Sequence, residues 1–287
     1  MMDPVVSLAP EFEACLEPGA APVRLASGFQ FVEGPVWAPA FGGLIFSDIP
    51  ADRMYLWRET DGLTVFREPS RHANGNTVDA AGCLLTCEQG ARRVTRTAPD
   101  GRITVLADAF QGKRLNSPND IAVRRRDGSV WFSDPPYGIP PEAQEQPAQQ
   151  VFRLDPDGTL TVVAADFEKP NGLCFSPDEE FLYISDTFDR HHHIRRFRVR
   201  PDRSLAGGEV FAVIAPGKPD GFRVDAAGRI WTSSGEGIWC LAPDGRLLGK
   251  ILIPESPSNC AFGGTDDRTL FITARSGLYA IRVGAVG

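Results

Sequence analysis

Six short apolar runs recur along this 287-residue chain at near-constant spacing, and that repeat narrows the fold more than any other feature. They are LIFSD (44–48), LLTCE (84–88), VWFSD (130–134), LYISD (182–186), IWTSS (230–234) and LFITA (270–274). Their second residues, Ile45, Leu85, Trp131, Tyr183, Trp231 and Phe271, lie 40, 46, 52, 48 and 40 residues apart. Runs so rich in β-branched and aromatic residues read as buried strands. Each follows a turn signal such as FGG, DAAG or SPDEE. Most are followed by an alternating third strand, such as RMYLWR (53–58) or HIRRFRV (193–199). Asp-Gly turns then lead to a fourth, such as ITVLAD (103–108). Four antiparallel strands per unit, six times over, predict an all-β six-bladed β-propeller.

The 29 glycines and 24 prolines fit many short strands and disfavour long helices, because proline removes a donor and glycine costs backbone entropy. The last unit has only three strands. The segment APVRLAS (21–27) supplies a fourth, so the ring is expected to close by joining the first and last strands in one blade. Residues 1–287 read as one propeller domain with residues 1–20 as an N-terminal extension. The polar, proline-rich PPEAQEQPAQ (140–149) reads as a loop insertion.

A net charge of -7 argues against nucleic acid as a partner, and the basic stretch RHHHIRRFRVR alternates like an outer strand with solvated charges. No run of about 18 apolar residues exists to span a membrane. The six cysteines form no C-x-x-C pair and read as free thiols; with no signal-like N-terminus, a cytoplasmic location is expected.

The repeat register exposes the chemistry. Eleven or twelve residues before each aligned position stand Glu33, Asn74, Asn119, Asn171, Asp220 and Asn259. Each opens the innermost strand of its unit, so the propeller aims six side chains at one axis, all of them carboxylates or carboxamides. Oxygen-only donors suit a hard divalent cation. Ca²⁺ is the first candidate, then Mg²⁺ and Mn²⁺; the lack of His and Cys weighs against Zn²⁺ without removing it. Glu33 and Asp220 together balance one divalent charge. His72, two residues before Asn74, is a candidate for binding substrate hydroxyls or acting as a base. Glu88, at the end of the second unit's run, is a candidate to reach the same pocket.

The stretches EGPVW (33–37), HANGNTVD (72–79), CEQGARRVTR (87–96), LNSPNDIAV (115–123) with VWFSDPPYG (130–138), KPNGL (169–173) and KPDGF (218–222) resemble the senescence marker protein / gluconolactonase / luciferin-regenerating-enzyme-like family, and look most like its bacterial gluconolactonase branch. The resemblance implies a metal-dependent lactone hydrolase acting on sugar lactones, glucono-1,5-lactone foremost. It places metal ligands on Glu33, Asn171 and Asp220, with Asn119 added from related phosphotriesterase-like propellers, and makes Asp220 the first choice of general base. In the regucalcin branch an Arg and an Asn of the second blade bind the sugar lactone; the Asn falls on Asn74, and the Arg position reads His72. Asn119 and Glu88 complete the expected substrate contacts. Two other readings keep the same ring: hydrolysis of another lactone or of an organophosphate ester, and a non-catalytic calcium-binding propeller. The motifs G-x-S-x-G, H-E-x-x-H and G-x-x-x-x-G-K-[ST] are all missing, which weakens serine-hydrolase, zinc-protease and nucleotide-hydrolase readings.

Overall fold

The computed structural model describes residues 3–284. They form six antiparallel blades built on four strands each; within a blade the strands pair in chain order, except that N-terminal strands supply the outermost strand of blade six and an added one on blade five. Blade one runs Val32–Ala38, Gly43–Asp48, Arg53–Arg58, Gly62–Arg67, and blade two Ala73–Val78, Leu84–Glu88, Arg93–Thr97, Ile103–Ala107. Blade three runs Ile121–Val123, Val130–Asp134, Gln149–Leu154, Leu160–Phe167, and blade four Pro170–Phe175, Phe181–Asp186, His193–Val199, Leu205–Val213. Blade five runs Phe222–Val224, Ile230–Ser233, Gly237–Leu241, Leu247–Leu252. Blade six has Pro257–Gly263, Thr269–Ala274 and Gly277–Arg282, and its outermost strand is Val23–Ser27, with Val23 opposite Ala280. The ring therefore closes as the sequence predicts.

The aligned second-strand residues explain why the repeat carries its bulkiest side chains there. All six are buried, and each packs into the next blade. Ile45 meets Ala73 and Leu84 of blade two, and Leu85 shares a cluster with Ile121 and Phe132 of blade three. Trp131 packs with Leu173 and Leu182, Tyr183 with Phe222 and Ile230, Trp231 with Cys260 and Leu270, and Phe271 with Leu44 and Phe46. Each wedge stabilises its seam by about 2–3 kcal/mol before the entropy of ordering is counted.

Described parts of the N-terminal extension pack onto blade five. Val5–Ser7 pairs with Leu247–Leu252 as a fifth strand of blade five. The short helix Pro10–Glu13 then buries Phe12 completely, its ring 6.1 Å from that of Trp231. Residues 140–148 are a loop with one 3-10 turn at Pro141–Ala143, as the polar composition predicts, and Gln149 already opens a strand of blade three. All six cysteines are free; Cys174 is half-buried and the other five are buried. Among the described residues no helix is long and apolar enough to cross a membrane.

Candidate functional site

The innermost strands all begin at the same end of the ring, and a cavity of about 300 Å³ opens there. Its wall contains Glu33, Asn74, Asn119, Asn171 and Asp220, five of the six ring residues, drawn from blades one to five. Asn259 departs from the expected set. It is buried and does not line the cavity; its Nδ2 donates to Glu33 Oε2 at 3.2 Å, so it supports a ring carboxylate from behind.

Two devices in the recurring Ser-Asp pair hold this ring. The Asp at the end of the second strand accepts two backbone N–H bonds from the loop that precedes its own blade's ring residue. Asp48 takes those of Gln30 and Phe31 at 3.0 Å each, ahead of Glu33. Asp134 takes those of Asn116 and Ser117 at 2.7 and 2.8 Å, ahead of Asn119. Asp186 takes those of Glu168 and Lys169 at 3.0 and 3.1 Å, ahead of Asn171. The Ser one residue earlier reaches forward to the next blade's ring residue: Ser47 Oγ donates to Asn74 O, Ser133 Oγ to Asn171 O and Ser185 Oγ to Asp220 O, at 2.7, 2.7 and 2.9 Å. The Asp bonds, from backbone N–H to a carboxylate, are charge-assisted and stronger than the neutral Ser bonds, and they fix the loop.

Close approach between blades also depends on the residue after the ring position. Gly34 has φ +56, and a Cβ there would lie 2.1 Å from the Asn74 carbonyl oxygen. Further round, Gly75 N–H donates to Asn119 O at 2.8 Å and Gly172 N–H to Asp220 O at 3.1 Å. The inner strand starts are thus chained to each other around the axis.

The electrostatics follow from putting carboxylates in that confined space. Burial, and then the neighbouring charge of Asp220, hold the Glu33 carboxyl well above the usual carboxylate range. Burial, and then Asp120, push Asp220 up to about 7, while a hydrogen bond from Asn171 and the charge of Lys218 pull the other way. Asp120 is itself buried and raised, and its Oδ2 has no hydrogen-bond partner. The side-chain amides of Asn74 and Asn119 make no hydrogen bond among the described residues, leaving their oxygens for what enters the cavity. Repelling carboxylates and uncommitted amide oxygens fit a hard divalent cation. Such a cation would find oxygen donors in Glu33, Asn119, Asn171 and Asp220.

His72 and Glu88 are not brought into this cavity. Side chains alternate along a strand, and Glu88 turns into the blade, where its carboxylate accepts from Arg93 Nε at 2.6 Å, Thr95 Oγ1 at 2.9 Å and Arg67 at 3.4 Å. Its neighbour Gln89 takes the place on the cavity wall. His72 instead lines a separate recess beside the cavity, with its Nδ1 donating to the Ile49 carbonyl at 2.8 Å.

Reading the sequence for ring residues alone misses the rim. Lys169 and Lys218 stand two residues before Asn171 and Asp220, and Phe31 two before Glu33; all three line the cavity. The KPN and KPD motifs carried that signal. Tyr137 reaches the wall from the loop after blade three's second strand and hydrogen-bonds Thr187; burial pushes its hydroxyl up to about 12. The Lys169 ammonium lies 5.5 Å from the centre of the Tyr137 ring and 5.7 Å from that of Phe188.

Residues 31–276 match the family model described as the SMP-30/gluconolactonase/LRE-like region. The chain belongs to this family. Within it, the chain is 34% identical to a gluconolactonase of Zymomonas mobilis, over 99% of this chain and 87% of that one. It is 31% identical to a 6-deoxy-6-sulfogluconolactonase of Pseudomonas putida, over 84% and 82%. A solved gluconolactonase structure from Xanthomonas campestris superposes with a TM-score of 0.92 at 39% identity, covering 98% of this chain and 95% of that one.

Proposed function

We propose that this protein is a lactonase that opens sugar lactones in the axial cavity, converting glucono-1,5-lactone to gluconate, with one divalent cation, Ca²⁺ first, held by Glu33, Asn119, Asn171 and Asp220. The observation that carries the reading is the convergence of five ring residues on one cavity, two of them carboxylates, Glu33 buried and Asp220 half-buried. Family membership and the names of the relatives, which share a gluconolactone core and differ at its distal carbon, support the substrate class.

The reaction adds one water across the ester bond: the water oxygen bonds to the carbonyl carbon, the ring oxygen leaves, and one proton moves to that oxygen. When bound, the cation supplies Lewis acidity to the lactone carbonyl. Asp220 accepts the proton of the attacking water at its carboxylate. A carboxylate that also binds a cation is a weak base, and a sugar δ-lactone is reactive enough for a weak base to serve. Asn74 and Asn119 orient the sugar hydroxyls through their uncommitted amides. The rim cations Lys169 and Lys218 favour the carboxylate product's negative charge near the mouth.

The test is lactone hydrolysis followed by acid release with metal-stripped protein, adding back Ca²⁺, Mg²⁺, Mn²⁺ and Zn²⁺ separately. Turnover should be lost on stripping, restored by Ca²⁺, and lost in Asp220→Asn. Full turnover by stripped protein, or by Asp220→Asn, would overturn the reading.

A further inference from the structure

The recess beside the cavity carries chemistry that opening a neutral lactone at the axis does not use. It measures about 430 Å³ and is lined by Asp52, Arg71, His72, Gly90, Ala91 and Arg93. Two guanidinium groups and an imidazole stand there against one carboxylate. That carboxylate is committed: Asp52 Oδ1 accepts the His72 backbone N–H at 2.7 Å and the Ser70 hydroxyl at 3.2 Å. Glu88, beneath the recess, is shared between Arg93 and Arg67. Arg71 is exposed and takes part in none of the ion pairs among the described residues. The recess is left with an excess of positive charge.

It is also rigid. Gly90 N–H donates to Arg71 O at 3.0 Å and Gln89 N–H to His72 O at 3.1 Å. A carbonyl only accepts, so the bond to Ile49 O fixes the hydrogen on His72 Nδ1 and leaves Nε2 uncommitted. Arg71 and His72 both sit in the left-handed region, at φ 64 and 52. Consecutive non-glycine residues there persist only where the surroundings over-determine them, and such strain gathers at binding sites. A Cβ on Gly90 would stand 2.7 Å from His72 Cδ2, so a glycine is what lets the imidazole lie in the recess. The recess shares a wall with the cavity: Ile49 and Gln89 line the cavity, while the Ile49 carbonyl holds His72 and Gly90 follows Gln89.

We infer that the recess is an anion subsite, with Arg71 as its principal ligand and His72 and Arg93 beside it, and that it selects sugar lactones bearing a phosphate, sulfonate or carboxylate group at the end remote from the lactone carbonyl. The selection rests on the lactone-hydrolase reading; the anion site does not. A free anion of the same chemistry would meet the same groups, and two measurements separate the sources.

In the first, sulfate is titrated into the full-length, metal-free protein while the imidazole Cε1–H signals are followed by NMR. The chain has four histidines, and His72→Gln assigns the relevant one. The His72 signal should move saturably, the movement should vanish in Arg71→Gln, and Arg71→Lys should keep part of it. In the second, kcat/KM is compared for 6-phosphoglucono-1,5-lactone and glucono-1,5-lactone. The ratio should fall about tenfold in Arg71→Gln and partly recover in Arg71→Lys, the effect of one charge-assisted contact. A sulfate response lost in Arg71→Gln with an unchanged ratio establishes the subsite for a free anion and overturns the substrate selection. No sulfate response and an unchanged ratio overturn the inference whole. Failure of the protein to open either lactone overturns the lactonase reading, and the sulfate titration still decides the recess. Melting curves of the Arg71 variants check that the fold is intact.

Discussion

The Ser133 hydroxyl donates to the backbone carbonyl of Asn171 at 2.7 Å, tying the second strand of blade three to the ring residue of blade four. The same Oγ receives the Asp120 N–H at 3.2 Å, so one side chain sets the spacing of two adjacent inner strands. Ser133→Ala should cost about 1 kcal/mol of stability, read from the urea midpoint. It should also weaken Ca²⁺ binding several-fold by calorimetry. A stability loss with unchanged Ca²⁺ affinity would show that the bond only staples the blades.

Gly34 stands where the inner strand of blade one meets the backbone of Asn74. Gly34→Ala forces a side chain into a positive-φ position and against the Asn74 carbonyl oxygen. The loss should exceed about 2 kcal/mol, well above the ordinary glycine-to-alanine gain in unfolded-state entropy. Equal or higher stability of the variant would mean that the inner strands can separate without penalty.

The paired carboxylates make a signed pH prediction for the metal-free protein. Asp220 is raised to about 7 by burial and Asp120, and Glu33 is raised by burial and Asp220. In the window between the ordinary carboxylate pKa near 4 and about 7, the unfolded chain has released these protons and the folded protein still holds them. The folded state binds more protons, so stability is fully present below that window and falls as pH rises through it. Melting temperatures of stripped protein should decline from pH 5 to 7.5, with a shallower decline in Asp220→Asn. Ca²⁺ affinity should rise over the same interval, because the cation must displace those protons. Parallel slopes in wild type and Asp220→Asn would refute the assignment.

Phe12 tests whether the N-terminal segment belongs to the propeller's core. Its ring is fully buried beside Trp231 and against Gly249, where an added Cβ would lie 2.1 Å from the Phe12 ring. Phe12→Ala should cost about 3–5 kcal/mol in chemical denaturation. A change below about 1 kcal/mol would mean that residues before blade six's outer strand are dispensable.

Much of the architecture was legible because a propeller is periodic and local pattern repeats with it. The wedge residues Trp131 and Trp231, the closing strand Val23–Ser27 and five of the six cavity-facing ring residues all follow from register. The Ser-Asp pair was legible as a pattern but not as a device, because its partners lie in a preceding loop and in the next blade.

The sequence by itself determined six repeats, and with them which side chains open the innermost strands, since hydrophobic alternation and turn spacing are local properties. Only the tertiary structure decided which of those side chains share one cavity. Asn259 turned to support Glu33, Glu88 was neutralised inside its blade by Arg67 and Arg93, and His72 was carried into a neighbouring recess by its bond to Ile49. Each outcome depends on a partner from another strand or another blade, and spacing along one chain does not contain the distance between two blades.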